Sequence, residues 1–158
     1  MQIRKGTADD LPFIRDLTKR ATDATYFRDG MDDAATMTVA NYVERSTGVF
    51  EHALGSDNHS IYVATADDQI LGYVIAIHEI PEIDWIMVDP ASHGSGAGKA
   101  LMIAALDALA EKGPRGNVRL TVVAHNERAK AFYRKFGFLV TGPVPGRDIP
   151  TVEMQRAA

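Results

Sequence analysis

Residues 83–102 read IDWIMVDPASHGSGAGKALM. A short apolar run rich in β-formers meets Asp89-Pro90, then Gly94, Gly96 and Gly98 fall close together, and an alanine- and leucine-rich run follows. This pattern predicts a strand, a glycine loop and the start of a helix at about Gly96. Glycines let the backbone turn tightly and approach a ligand, and the first turn of a helix offers unpaired N–H groups at the positive end of its dipole. Such a place suits a phosphate or pyrophosphate. Two nucleotide loops are excluded by spacing. In a P-loop, Gly98-Lys99 would be followed by Ser or Thr and preceded by a glycine five residues earlier, whereas Ala100 and His93 stand there. A dinucleotide fingerprint counted from Gly94 and Gly96 puts Lys99 where its third glycine belongs.

At 158 residues the chain has the length of one domain, taken as 1–158, and can bury a substantial core. With 46% hydrophobic and 24% charged residues it has ordinary globular composition. A net charge of −4 argues against nucleic acid as the main partner. There are no cysteines, which excludes disulfides, thiolate metal sites and a cysteine nucleophile. The N-terminal residues lead straight into a strand-like segment, and no long apolar span occurs, so no membrane association and a cytoplasmic location are expected. The five histidines, His52, His59, His78, His93 and His125, lack metal-site spacing, so no metal is expected. Ser95 lies in Gly94-Ser95-Gly96, without the spacing of a serine-hydrolase elbow.

In chain order, Ile3–Lys5 reads as a strand and Thr7 as the N-cap of a helix with Leu11, Ile14 and Leu17 on one face. Residues 21–37 mix aromatic and acidic residues around Gly30 and read as a loop or broken helix. A second helix is expected from Thr38 to about Leu54. His59–Ala66 and Ile70–Ile80 read as strands joined at Asp67-Asp68, followed by the strand 83–88 and a helix ending near Lys112, before Gly113-Pro114. Val118–Ala124 has the look of a buried parallel strand. Asn126 caps a helix to about Phe136, and Phe138–Thr141 and Thr151–Met154 form two last strands. The order β-α-α-β-β-β-α-β-α-β-β predicts an α/β, or mixed α+β, architecture with helices on the faces of a mixed sheet.

Residues 126–138 read NERAKAFYRKFGF. They resemble the signature Asn-x-x-Ala-x-x-Phe-Tyr-x-x-x-Gly-Phe of the GNAT superfamily of N-acyltransferases, matched at Asn126, Ala129, Phe132, Tyr133, Gly137 and Phe138. The loop His93-Gly94-Ser95-Gly96-Ala97-Gly98 resembles the acyl-coenzyme A loop of that family, (Gln/Arg)-x-x-Gly-x-(Gly/Ala), with Val88-Asp89-Pro90 before it where Val-x-Pro is common. His93 departs from the pattern, because it stands where Gln or Arg is usual. The element order is also similar. The resemblance implies a mostly antiparallel mixed sheet of about seven strands with four helices, and an enzyme using acetyl-coenzyme A as co-substrate.

The resemblance further implies that an acetyl group passes directly from acetyl-coenzyme A to a primary amine, of a small molecule or a peptide, through general base and general acid catalysis. Its cofactor contacts fall on Ile86, Met87 and Val88, on His93, Gly94, Ser95, Gly96, Ala97, Gly98 and Lys99, and on Asn126 and Tyr133. Tyr133 is placed beside the sulfur, as the acid for the departing thiolate. Phe132, Phe136 and Phe138 read as core. For the base, Glu82 and Asp84 are both candidates at the start of the strand before the glycine loop. Strict alternation would put Glu82, Asp84 and Ile86 on one face, and Ile83, Trp85 and Met87 on the other. The acids Asp23, Asp29, Asp32 and Asp33 lean toward a cationic acceptor. A monomer or homodimer is compatible with the resemblance. The alternative is a catalytically degenerate module that binds acyl-coenzyme A as a sensor.

Overall fold

The computed structural model describes residues 1–26, 33–147 and 149–157. Among the described residues four α-helices, α1 (Leu11–Tyr26), α2 (Asp33–Leu54), α3 (Ala97–Lys112) and α4 (Glu127–Arg134), pack on a sheet of seven strands. The strands are β1 (Gln2–Lys5), β2 (His59–Ala66), β3 (Gln69–Ile77), β4 (Glu82–Val88), β5 (Val118–Val123), β6 (Leu139–Val144) and β7 (Thr151–Arg156). They lie in the order β1-β2-β3-β4-β5-β7-β6, antiparallel at every neighbouring pair except β4 and β5. The architecture expected from the sequence is the one observed.

Each face of the sheet carries its own core. On one, Leu101, Met102, Ala105 and Leu109 of α3 and Tyr133 of α4 meet Val74, Ala76, Ile83, Leu120, Val122 and Met154. On the other, Ile14 and Leu17 of α1 and Phe50 and Ala53 of α2 meet Ile61, Val63, Tyr73 and Ile75. The second core includes one polar anchor. Tyr73 is fully buried, and its hydroxyl lies 2.7 Å from the Thr18 hydroxyl, which donates to the Ile14 carbonyl. Burial pushes the Tyr73 phenol up to about 12, so it serves as a neutral strut between α1 and β3.

The boundaries differ from the sequence reading where tertiary pairing overrides local pattern. Helix α1 continues to Tyr26 and α2 begins at Asp33, so much of the expected broken segment is helical, while residues 27–32, including Asp29 and Asp32, lie outside the described residues. Asp23 pairs with Lys19 one turn earlier, at 3.0 Å. Strand β3 stops at Ile77, and β6 and β7 run on to Val144 and Arg156 because they pair with each other. Strand β5 is parallel to β4, as expected, but at one end only, and along its length it is antiparallel to β7. The β2–β3 turn is as read: Asp67 and Asp68 both have positive φ, as a two-residue hairpin with the sheet's twist requires.

Thr7 leads into α1 through a short 3-10 turn, Ala8–Asp10. Asp10 accepts the Thr7 N–H at 2.8 Å and receives both guanidinium nitrogens of Arg4, at 2.9 and 2.8 Å, which ties β1 to the helix start. The Arg4 hydrogen bonds, opposed by burial, hold the Asp10 carboxyl below its ordinary range. A carboxyl with a depressed native pKa stabilises the fold above its unfolded value, and that contribution is lost as pH falls through the native value. Asp10→Ala is therefore expected to lower stability by about 1–2 kcal/mol at pH 7, and urea titrations should show the deficit shrinking once pH falls below about 4.

Candidate functional site

The site forms where β4 and β5 part. Strand β4 is paired with β3 from Ile77↔Glu82 to Gly72↔Val88, but with β5 only at Glu82↔Arg119. Six pairs, from Val118↔Arg156 to Val123↔Thr151, hold β5 to β7 instead. From Ile83 to Val88 the β5-facing edge of β4 has no ladder partner among the described residues. Parallel pairing that ends after one rung leaves a wedge-shaped cleft lined by backbone N–H and C=O groups, which an extended amide-bearing ligand can pair with as an added strand. Ile86, Met87 and Val88 lie on this edge.

Strand β4 does not alternate strictly. The register passes from Ile75↔Trp85 to Ala76↔Ile83, so Asp84 is the extra residue of a β-bulge. Ile83, Ile86 and Val88 consequently belong to the α3 core, and Trp85 and Met87 to the α1–α2 core. The expected grouping of Ile86 with Glu82, and of Ile83 with Trp85, is thus overturned by one inserted residue. Glu82 lies opposite Ile77, which lies opposite His59, so Glu82 shares the α1–α2 face. On that face the charges of His59 and of Arg45 on α2 act on Asp84.

Both carboxylates are half-buried, and burial raises both above their ordinary range. For Glu82, Arg119 opposes the shift, Asp84 and Glu153 add to it, and Arg147 opposes it; for Asp84, His59 and Arg45 oppose it. Tyr133 is on the other face. It is 9% exposed in α4, edge-on to Phe138 at 6.2 Å, in the core that includes Ile86 and Val88. Glu82 and Tyr133 therefore lie on opposite faces of the sheet.

At the far end of β4, Asp89 accepts the Ala91 N–H at 3.1 Å and a hydrogen bond from Arg20 of α1 at 2.8 Å, which fixes the entry to the glycine loop. Gly94 and Gly96 have φ of +84 and +88, a left-handed backbone that favours glycine, and a Cβ at either would meet nothing within 4 Å. Ser95 Oγ accepts the Ala97 N–H at 3.3 Å, and helical bonding begins with Ala100 N–H to Gly96 C=O, so the Gly98 and Lys99 amides sit in the first turn at the mouth of α3. Gly98 has a different task from the other two: a Cβ there would lie 3.3 Å from Phe132 and 3.5 Å from Val88. His93 is exposed, and its imidazole is held below its ordinary pKa by partial burial and by the Arg128 charge, against the pull of Asp89. Asn126 caps α4 by accepting the Ala129 N–H at 3.1 Å.

The structure thus places Glu82 and Asp84 on β4, whose edge toward β5 is paired at one rung only, Tyr133 in the core of the opposite face together with Ile86 and Val88, and the glycine loop with the start of α3 after the end of that strand. Arg119, opposite Glu82, was not singled out in the sequence; its signal there is a lone cation within the apolar run of β5. Among the described residues no group of three or more His, Asp or Glu side chains is gathered as metal ligands, and no helix is long and apolar enough to cross a membrane.

Residues 18–138 match the sequence model of the acetyltransferase (GNAT) family. An uncharacterized N-acetyltransferase of Mycobacterium tuberculosis is 33% identical over 109 residues, covering 66% of this chain and 69% of that protein. Among solved structures, the PaiA N-acetyltransferase of Thermoplasma acidophilum in complex with coenzyme A superposes with a TM-score of 0.81 at 19% identity, over 99% of this chain and 98% of that one. The ribosomal-protein-alanine N-acetyltransferase of Brucella melitensis gives 0.73 at 20% identity over 100% of both chains. Family match, relatives and fold agree: the chain belongs to the GNAT acetyltransferase family and is an acyltransferase of that family.

Proposed function

We propose that the protein is an N-acetyltransferase that moves an acetyl group directly from acetyl-coenzyme A to a primary amine. The observation that carries this reading is the cleft between β4 and β5, with half-buried Glu82 and Asp84 on one face of the sheet and buried Tyr133 on the other. Relatives named N-acetyltransferases, and a structural neighbour bound to coenzyme A, support it. Acetyl-coenzyme A supplies the acyl group as an activated thioester. The free edge at Ile86–Val88 would pair with the amide-bearing arm, and its N–H groups would polarise the carbonyl. The amides from Gly94 to Lys99 would hold the pyrophosphate at the positive end of α3.

The acceptor arrives as an ammonium, because an alkylamine with a pKa of about 10.4 is neutral in only roughly one molecule in a thousand at pH 7. Glu82, or Asp84 beside it, takes the proton, and its raised pKa brings it closer to the working pH, where a general base is most effective. Tyr133 returns a proton to the departing sulfur. Asn126 holds the start of α4 and so fixes where Tyr133 stands. The paired carboxylates favour catalysis over the purely binding alternative, which has no use for a desolvated base.

Glu82→Gln is expected to lower kcat/KM by about 100-fold and to abolish its acidic limb. That limb should lie above the ordinary carboxylate range, with activity falling as pH drops through the raised pKa; if it survives in Glu82→Gln and disappears in Asp84→Asn, the base is Asp84. Tyr133→Phe keeps the ring in its aromatic contacts, so rapid-quench turnover should fall about tenfold or more while the coenzyme A dissociation constant stays unchanged. The third prediction concerns the loop. Because His93 is held below its ordinary pKa, calorimetry should find coenzyme A affinity flat from pH 8 to about 6.5, whereas Arg128→Gln should weaken it about tenfold.

A further inference from the structure

Next to the cleft, one cation stands between two acids. Arg119 on β5 lies opposite Glu82 on β4 and Gln155 on β7, so the three side chains leave the same face of the sheet. Its Nε is 3.9 Å from Glu82 Oε1, and its Nη2 is 3.7 Å from Glu153 Oε2. Both distances are within ion-pair range and beyond hydrogen-bond reach. The Nε is buried and has no hydrogen-bond partner, an arrangement that folded proteins rarely keep without a reason. Glu153 is fixed on its other oxygen: Thr141 Oγ1 donates to its Oε1 at 2.9 Å and Gln155 Nε2 at 2.7 Å. The guanidinium therefore has one hydrogen-bonded acid on one side and one loosely engaged acid on the other.

We propose that Arg119 is a positioning residue for the base: backed by Glu153, it holds the Glu82 carboxylate at the mouth of the β4–β5 cleft and is the cation against which that carboxylate takes up the acceptor's proton. This rests on the reading of Glu82 as the base. In the step concerned, R–NH3+ and the Glu82 carboxylate become R–NH2 and the neutral acid, and the acid then releases the proton to water. Two acids around one cation suit this cycle. When Glu82 becomes neutral, Arg119 keeps Glu153 as its counter-charge, so no step leaves a partly buried guanidinium unpaired. The loose 3.9 Å contact leaves Glu82 able to turn toward an incoming amine, while the buried Nε supplies the donor that recovers the carboxylate afterwards.

The charges facing Glu82 are Asp84 on its own strand, Arg119 on β5, Glu153 on β7 and Arg147 in the loop between β6 and β7; Asp84 in turn faces His59 of β2 and Arg45 of α2. Asp84 and Glu153 favour the protonated form of Glu82, and the two arginines oppose it. Removing Arg119 must therefore raise the pH at which Glu82 ionises. Removing the charge of Glu153 must lower it, both by taking away a like charge and by freeing Arg119 to close on Glu82.

The test follows the Glu82 carboxyl by carbon-13 NMR titration, assigned with Glu82→Gln, alongside the pH dependence of kcat/KM. Arg119→Gln is expected to move the carboxyl midpoint and the acidic limb upward together by about one pH unit, leaving about tenfold less ionised base below the midpoint. Arg119→Lys should restore most of this shift, and Glu153→Gln should move both midpoints downward. A merely architectural role would lower amplitudes and move neither midpoint, and an unmoved carboxyl midpoint in Arg119→Gln overturns the proposal. An acidic limb lost in Glu82→Gln but unmoved in Arg119→Gln overturns the role of Arg119 alone. One that survives Glu82→Gln removes the base reading, and the positioning role falls with it.

Discussion

The whole arrangement depends on the single rung at Glu82↔Arg119, where β4 and β5 touch before they diverge. Each strand is committed elsewhere: β4 to β3 through the length of the strand, β5 to β7 through six pairs. The bulge at Asp84 adds twist on the β4 side just past the shared rung, which turns the two strands apart. A sheet that stayed closed here would bury the N–H and C=O groups of β4 in its own ladder and leave nothing for a ligand. Opened at one end only, it offers a strand edge inside the fold, with a different core on each face.

The same opening sorts the chemistry. Glu82 lies on the α1–α2 face of the opened sheet and Tyr133 in the core of the α3–α4 face. The raised affinity of Glu82 and Asp84 for protons arises chiefly from burial, restrained by Arg119 and Arg147 at Glu82 and by His59 and Arg45 at Asp84.

Much of this was legible in the sequence. The glycine loop announced itself through residues that only a left-handed backbone requires, and the 126–138 stretch through a cap, an aromatic pair and a helix-ending glycine, all local signals that the structure repeats at Asn126, Tyr133 and Gly137. The bulge at Asp84 was not legible, because an inserted residue looks like any other until its partner strand fixes the register. For the same reason Arg119 passed unnoticed: its meaning lies in Glu82 and Glu153, from strands far apart in the chain. The limits of β3, β6 and β7 followed pairing rather than composition, and the described parts of the mixed segment, 21–26 and 33–37, belong to the end of α1 and the start of α2.

Gly98 sits between the two halves of the site. With no side chain of its own, it lets the first turn of α3 rest against Phe132, the residue before Tyr133, and against Val88 at the end of β4. Helix α3, strand β4 and helix α4 are thereby in contact at one point, like three members of a hinge sharing a pin. A side chain added at Gly98 would meet both neighbours at once, so the placements of the α3 start, of the β4 end and of α4 are mechanically one quantity.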